Sequence, residues 1–289
     1  MVQSVNRYRA PQDVTRQVRL SQQIADQQAL VSGESRIARP SNDPKAWLES
    51  SNISRFQSDE AAWVNNLGRA DTRANQAEAS LNTIVSGLIR TRELLLLANT
   101  GTISSADPEV LALEVEGINA DFNDALGQRD NFGGQLFGNG PVIRIPMGDA
   151  RFVVSAPNLD EVQANIDVDG GAGGATRSLE QIMTDTAAAI RDNTATGQAA
   201  RNAQLTALDG AIDRMTQLLT RQGVVKNSIE SAREELEQSK LSLASRKSEL
   251  VDANVAEALT RIQTLLTNLQ ATQAVYAKVS QQSLLDFLR

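Results

Sequence analysis

The chain contains no histidine and no cysteine. Without histidine the usual general base and the commonest metal ligand are missing, so only carboxylates remain for such work. Without cysteine neither disulfides nor thiolate chemistry are available. Aromatic residues make up 3% of the chain against 41% hydrophobic residues, so the interior must be built from Ala, Leu, Val and Ile. That composition suits slender helical bundles. No stretch approaches the roughly eighteen apolar residues of a membrane span, and the densest run, Leu94 to Ala98, has five. Basic clusters are absent too: the formal charge is -7 and the pI about 4.9, which argues against nucleic acid as a partner. The polar stretch Met1 to Pro11 lacks the apolar centre and cleavage site of a secretory signal peptide, so the general secretory route is not expected.

What is present is periodicity. Alternating steps of three and four from Ile53 give Phe56, Glu60, Trp63, Leu67, Ala70, Ala74, Ala77, Leu81, Ile84, Leu88, Thr91, Leu95 and Ala98, with only Glu60 and Thr91 polar. A spacing held over that length aligns one apolar stripe along a helix, and a strand could not align it. The sequence therefore predicts a coiled-coil spine over about 45–99, roughly 80 Å long at 1.5 Å per residue. Small residues at Ala70, Ala74 and Ala77 allow a partner helix to approach closely. Asp43 is placed to cap this helix, with Pro44 in its first turn.

Around the spine, residues 1–13 read as an irregular leader and 14–32 as a helix ending at Gly33. A helix of about twenty residues follows the spine and pairs with it antiparallel, and a turn covers 131–140. Residues 141–175 favour strands, with Gly148-Asp149 as a two-residue hairpin turn and Gly170 to Gly174 as a linker. From Ser178 the chain is helical again, weak at 192–197, with a last long helix over 199–282 kinked near Gly223. The fold class is thus mainly α: a long antiparallel coiled-coil bundle formed by both chain ends, with a small β-rich insertion. The expected divisions are a terminal assembly domain of 1–40 with 253–289, a helical bundle of 41–140 with 176–252, and the insertion 141–175.

Charge divides the last helix. Between Glu230 and Asp252 ten of 23 residues are charged, around the row Ile229, Leu236, Leu243 and Leu250; from Ala253 to Arg289 only five of 37 are. The first 32 residues carry six charges. Both ends are thus amphipathic helices with uncharged polar backs, which lose little on desolvation and tolerate burial between copies. The candidate assembly interface is Val14, Val18, Ile24 and Val31 on the first helix, with Val255, Leu259, Ile262, Leu266, Leu269, Tyr276, Leu284, Leu285, Phe287 and Leu288 on the last. Two ordinary amphipathic helices in a monomer are the competing possibility. No catalytic, cofactor-binding or metal residue is indicated. The glycine run lacks the Lys-Ser/Thr of a phosphate loop, and Asp167 with Asp169 lacks the other ligands of a calcium loop. Trp63 lies on the core row, whereas Trp47 remains open between packing and stacking on a ligand.

Several segments carry a resemblance. Gly33, Arg36 and Ile37, followed by Pro40, Asn42, Asp43 and Pro44, resemble the N-terminal signature of the bacterial flagellin family, and within it the hook-filament junction branch. Asn42 stands where aspartate is usual. Flagellins proper usually replace the proline-containing end of this signature. Arg92 to Leu94, Ala98 to Thr102 and Gly134 to Gly138 are similar to further family segments, as are 221–227 with Arg221, Gly223 and Asn227, 249–258 with Asp252, and the ending 280–288. The resemblance implies a non-enzymatic structural part of the flagellum: an adaptor ring joining hook to filament, without cofactor, exported by the flagellar type III system and located outside the cell. It implies termini that order only on assembly, and as partners other copies of the chain, a neighbouring hook-associated protein, flagellin and an export chaperone. A flagellin forming the filament itself is the alternative, and a cytoplasmic coiled-coil scaffold a more distant one. The zinc protease carried by some flagellin relatives needs a His-Glu-x-x-His motif, which this chain cannot form.

Overall fold

The computed structural model describes residues 6–32, 37, 40–41, 43–100, 107–168, 175–252 and 254–287, with side-chain surroundings for those from 14 to 278. Among the described residues seven helices and four short strands follow in order: α1 (Asn6–Val31), α2 (Pro44–Asn99), α3 (Asp107–Leu126), β1 (Arg144–Gly148), β2 (Arg151–Val154), α4 (Leu159–Gln163), β3 (Ile166–Asp167), β4 (Thr176–Arg177), α5 (Leu179–Arg191), α6 (Ala195–Val251) and α7 (Val255–Phe287). The fold is mainly α, with long helices paired antiparallel and a small β-rich insertion. Two compact units contain it, one of residues 59–238 and one of 1–58 with 239–289.

In the unit 59–238 the spine row is sealed. Leu67, Ala70, Ala74, Ala77, Leu81, Ile84, Leu88, Thr91 and Leu95 are all fully buried. Thr91 tolerates this because its hydroxyl donates to the Gly87 carbonyl at 2.9 Å. The partner helix at the small residues is α6: Ala70 and Ala74 share a cluster with Ile229, Ala232 and Leu236, and Trp63 packs against it. Arg92 to Asp209, Glu78 to Lys226 and Asp71 to Arg233 pair rising numbers on α2 with falling ones on α6, so the two run antiparallel. On another side, Arg90 meets Glu114 and Ser80 meets Gln128, which sets α3 antiparallel as well. Gly87 permits the close approach of α3, since a Cβ there would stand 2.8 Å from the Ile118 Cγ2 and closer still to the Phe122 ring.

Three buried polar side chains pin the connections to the spine. Arg73 donates to the Asp130 carboxylate and to the Gln135 and Leu136 carbonyls (2.9 and 2.5 Å), anchoring the turn after α3. Arg201 donates to the Asn99 amide oxygen at 2.9 Å and to the carbonyls of Ala189 and Asp192, fixing the corner between α5 and α6. Gln222 donates to the carbonyls of Ala74 (3.1 Å) and Ser155 (2.7 Å), joining α6, α2 and the end of the β1–β2 hairpin. At the surface, Arg191 on α5 bonds Glu109 and Glu116 on α3. The hydrogen bond from Arg191 holds the Glu116 carboxyl below its ordinary pKa, and the same pair raises that of Arg191.

Several expectations need correction. The first helix begins at Asn6 rather than Val14. The hairpin turn is Asp149-Ala150, one residue later than expected, with Ala150 at φ 60°. A bulge at Met147 absorbs the shift and keeps Ile145 opposite Val153 on the inner face; without it the slip would reverse the faces. There is no break at Gly223. The last helix divides instead between Val251 and Val255, and α6 begins at Ala195. Asp252 closes α6 by accepting from the Ser248 hydroxyl, and Asn254 caps α7 through the Glu257 N–H at 3.3 Å. Phe56 departs from the row and is 50% exposed. Of the residues 33–43 between α1 and α2 only 37, 40–41 and 43 are described, and the expected Gly170 to Gly174 linker and Asp169 lie outside the described residues.

Gly87→Ala should destabilise the chain by about 1–3 kcal/mol, the usual cost of overpacking. The midpoint of urea unfolding measures it, and an unchanged midpoint would contradict the close α2–α3 contact.

Candidate assembly surface

In the unit formed by 1–58 and 239–289, α1 packs against α7. The contact is incomplete. A groove of about 440 Å³ runs between the two helices, lined by Val14, Val18, Ala25 and Leu269 together with glutamines and a serine. A second groove involves Leu20, Ala271 and Val275. Of the expected interface residues Ile24 is buried, while Val31, Ile262 and Leu269 are half-buried. Val14, Val18, Val255, Leu259 and Leu266 remain between 40% and 52% exposed, and Tyr276 is 37% exposed. The side chains of Leu284, Leu285 and Phe287, and the whole of Leu288, lie outside the described residues, although α7 continues to Phe287. An α7 with Val255, Leu259 and Leu266 on one heptad-like row carries an apolar stripe that α1 alone does not cover.

The polar back of α7 is prepared for burial in a way its composition only hints at. Thr260, Thr264, Thr267 and Thr272 each donate the hydroxyl to the carbonyl four residues earlier, at 2.7–3.0 Å. Their donors are satisfied within the helix. A neighbour that covered this face would displace water without stranding a hydroxyl proton. By contrast, the neighbouring stretch of α6 keeps charged side chains, of which Arg246 binds Glu49 on α2 at 2.5 Å.

The family-motif residues fall at two separate places. Ile37 is buried, Pro40 is exposed, and Asp43 caps α2 by accepting from the Ala46 N–H at 3.0 Å, with Pro44 as the first helical residue. Gly33, Arg36 and Asn42 lie outside the described residues. In the other unit, Arg221 pairs with Glu161 at 3.5 Å, Asn227 is exposed, and Gly223 sits within an unbroken helix. Between them stands Gln222, the bridging residue described above. Its role was not legible in the sequence, because only its three-dimensional setting joins residues 74, 155 and 222. Arg73 and Arg201 were missed for the same reason. Among the described residues no group of three or more acidic side chains is arranged to hold a metal ion, and no helix is long and apolar enough to cross a membrane.

Leu259→Glu or Leu266→Glu places a charge on the uncovered row. Each is expected to abolish assembly while leaving the unit 59–238 folded, read by electron microscopy of assemblies beside circular dichroism of the purified chain. Normal assembly by either variant would contradict the assignment of this row.

Residues 205–288 match the family model of the bacterial flagellin C-terminal helical region. No curated protein matches the chain by sequence. The fold is shared with a putative flagellar hook-associated protein from Vibrio parahaemolyticus, at TM-score 0.63 and 18% identity, covering 73% of this chain and 100% of that one. It is shared too with flagellar hook-associated protein 3 from Legionella pneumophila, at TM-score 0.63 and 14% identity over 69% of this chain and 98% of that one. A structure of the flagellar junction protein FlgL from Legionella pneumophila gives TM-score 0.57 and 13% identity, over 71% of this chain and 100% of that one.

Proposed function

We propose that this chain is a flagellin-like structural subunit of the bacterial flagellum, an adaptor that joins hook to filament as a ring of copies. The observation that carries this reading is the terminal helix pair, whose apolar row stays open to solvent while its threonine hydroxyls are satisfied internally. A helix of that kind gains by being enclosed among other helices. The match of 205–288 to the flagellin C-terminal helical region and the fold shared with hook-associated and junction proteins support the same reading.

In this account 1–40 and 253–289 form the assembly domain. Residues 41–140 and 176–252 form the helical bundle that supports it, and 141–175 face outward. Val14, Val18, Val255, Leu259 and Leu266 meet other copies, with Ile24, Val31, Ile262, Leu269 and Tyr276 completing the seam toward the chain ends. The partners are other copies, a neighbouring hook-associated protein and flagellin, with an export chaperone before assembly. The chain reaches the outside of the cell through the flagellar type III route and performs no catalysis. The family model also favours a second reading, a flagellin that builds the filament itself, because the matched region is the one named for flagellin.

Immunogold electron microscopy with an antibody against residues 141–175 separates the two. Gold confined to the point where hook meets filament is the expected result. Gold along the whole filament would make the chain a flagellin, and label absent from flagella would overturn both readings.

A further inference from the structure

Two surfaces of the unit 59–238 have no partner among the described residues and complement each other. The first is a cleft of about 250 Å³ bounded by Arg69, Arg73, Phe132, Ile143 and Arg144 with the hairpin residue Pro146. Phe132 is 63% exposed and Ile143 51%, in a chain with only six phenylalanines. The Arg69 guanidinium lies over the Phe132 ring at 5.0 Å, so the ring is held in place at the surface. Arg73 is committed to Asp130. Among the described residues neither Arg69 nor Arg144 takes part in an ion pair within 4.0 Å, so the cleft presents two cations without a described counter-charge beside two apolar side chains.

The second surface is the outer face of α3. This helix carries six carboxylates and no basic residue. Glu114 is neutralised by Arg90, and Glu109 and Glu116 by Arg191. Along its outward stripe, at steps of three and four, stand Val110, Leu113, Gly117, Asp121 and Asp124, all exposed. Val110 is 63% exposed and Leu113 55%. A Cβ at Gly117 would meet nothing within 4 Å, so the backbone there is open to a close approach. Among the described residues Asp121 and Asp124 make no ion pair. The stripe is apolar in one half and doubly anionic in the other, while the cleft is apolar and doubly cationic.

We propose that the outer face of α3 in one copy docks into the Arg69–Phe132–Arg144 cleft of the next. This inference rests on the reading that copies of the chain assemble, and it specifies a lateral contact separate from the α1–α7 seam. Leu113 and Val110 cover Phe132 and Ile143, and Asp121 and Asp124 meet Arg69 and Arg144. Because the two patches differ, the contact is head-to-tail. Repeated, it closes into a ring or continues as a helix of copies. Opposite charge on the two patches sets the register and excludes contact between like patches.

The absence of native cysteine makes the test direct. The purified full-length chain carrying both Leu113→Cys and Phe132→Cys, two exposed positions, is oxidised at high concentration. The expected product is a ladder of disulfide-linked multimers, whereas each single-cysteine variant stays monomeric. Adding Arg69→Glu with Arg144→Glu should lower the ladder yield by at least about fivefold, the scale of one to two exposed ion pairs. Adding Asp121→Lys with Asp124→Lys to that chain should restore it. Circular dichroism keeps a folding defect distinct from a lost contact. No ladder from the folded double-cysteine chain, or dimers from Leu113→Cys or Phe132→Cys alone, would overturn the contact. Since the purified chain suffices, its failure leaves the junction role untouched; the contact covers only the start of the 141–175 epitope, at Ile143, Arg144 and Pro146, so the immunogold result still bears on that role alone.

Discussion

The structure depends on one constraint, the burial of a single apolar row on α2. From Leu67 to Leu95 that row is fully enclosed by α3, α5 and α6 and the elements between them. Each buried Leu or Ile contributes about 1.5–3 kcal/mol relative to exposure, so the row accounts for a large share of what holds the unit 59–238 together. The alanines bring α6 close, and Gly87 does the same for α3. Once those helices are fixed, Arg73, Arg201 and Gln222 have carbonyls to bond and the loops have fixed ends. Toward its N-terminal end the cover of the same row is interrupted at Phe56, which points into solvent, while Glu60 and Ile53 on either side of it are buried.

That interruption marks a change in how the chain obtains burial. The unit 59–238 encloses its main apolar row from within, although side chains such as Val110, Leu113 and Phe132 stay exposed. The unit of 1–58 and 239–289 does not, for its α1–α7 pair leaves Val14, Val18, Val255, Leu259 and Leu266 exposed around an unfilled groove. Free α7 would expose a greasy stripe, and a charged back would oppose enclosing it. Threonine, with its hydroxyl bonded to its own helix, resolves that conflict.

The legible part of this fold was the part governed by period and punctuation. The spine's limits at Pro44 and Asn99 follow from Asp43-Pro44 and the end of the 3-4 spacing, and the return to helix at Ser178 was readable too, where the structure adds a capping box between Ser178 and Gln181. The hairpin was legible in kind but not in register, since a bulge at Met147 decides it and no residue type announces a bulge. Gly223 looked like a weak point because glycine lowers helix propensity, yet a helix packed along its length tolerates one glycine. The true break at 252–254 was visible as a change in charge, and was read as a change of surface rather than of helix. At the candidate interface the residue types were readable, but the groove between α1 and α7 was not, because which parts of two amphipathic helices meet depends on their packing.

The central claim is that the open row on α7 is covered by other copies. Hydrogen-deuterium exchange of residues 255–278, compared between the free chain and the assembled structure, tests it most directly. The account predicts fast exchange in the free chain and strong slowing on assembly, with the buried stretch 67–95 of α2 slow in both. Equal exchange of 255–278 in the two states would contradict it, and would mean that the exposed row is simply an uncovered helix face.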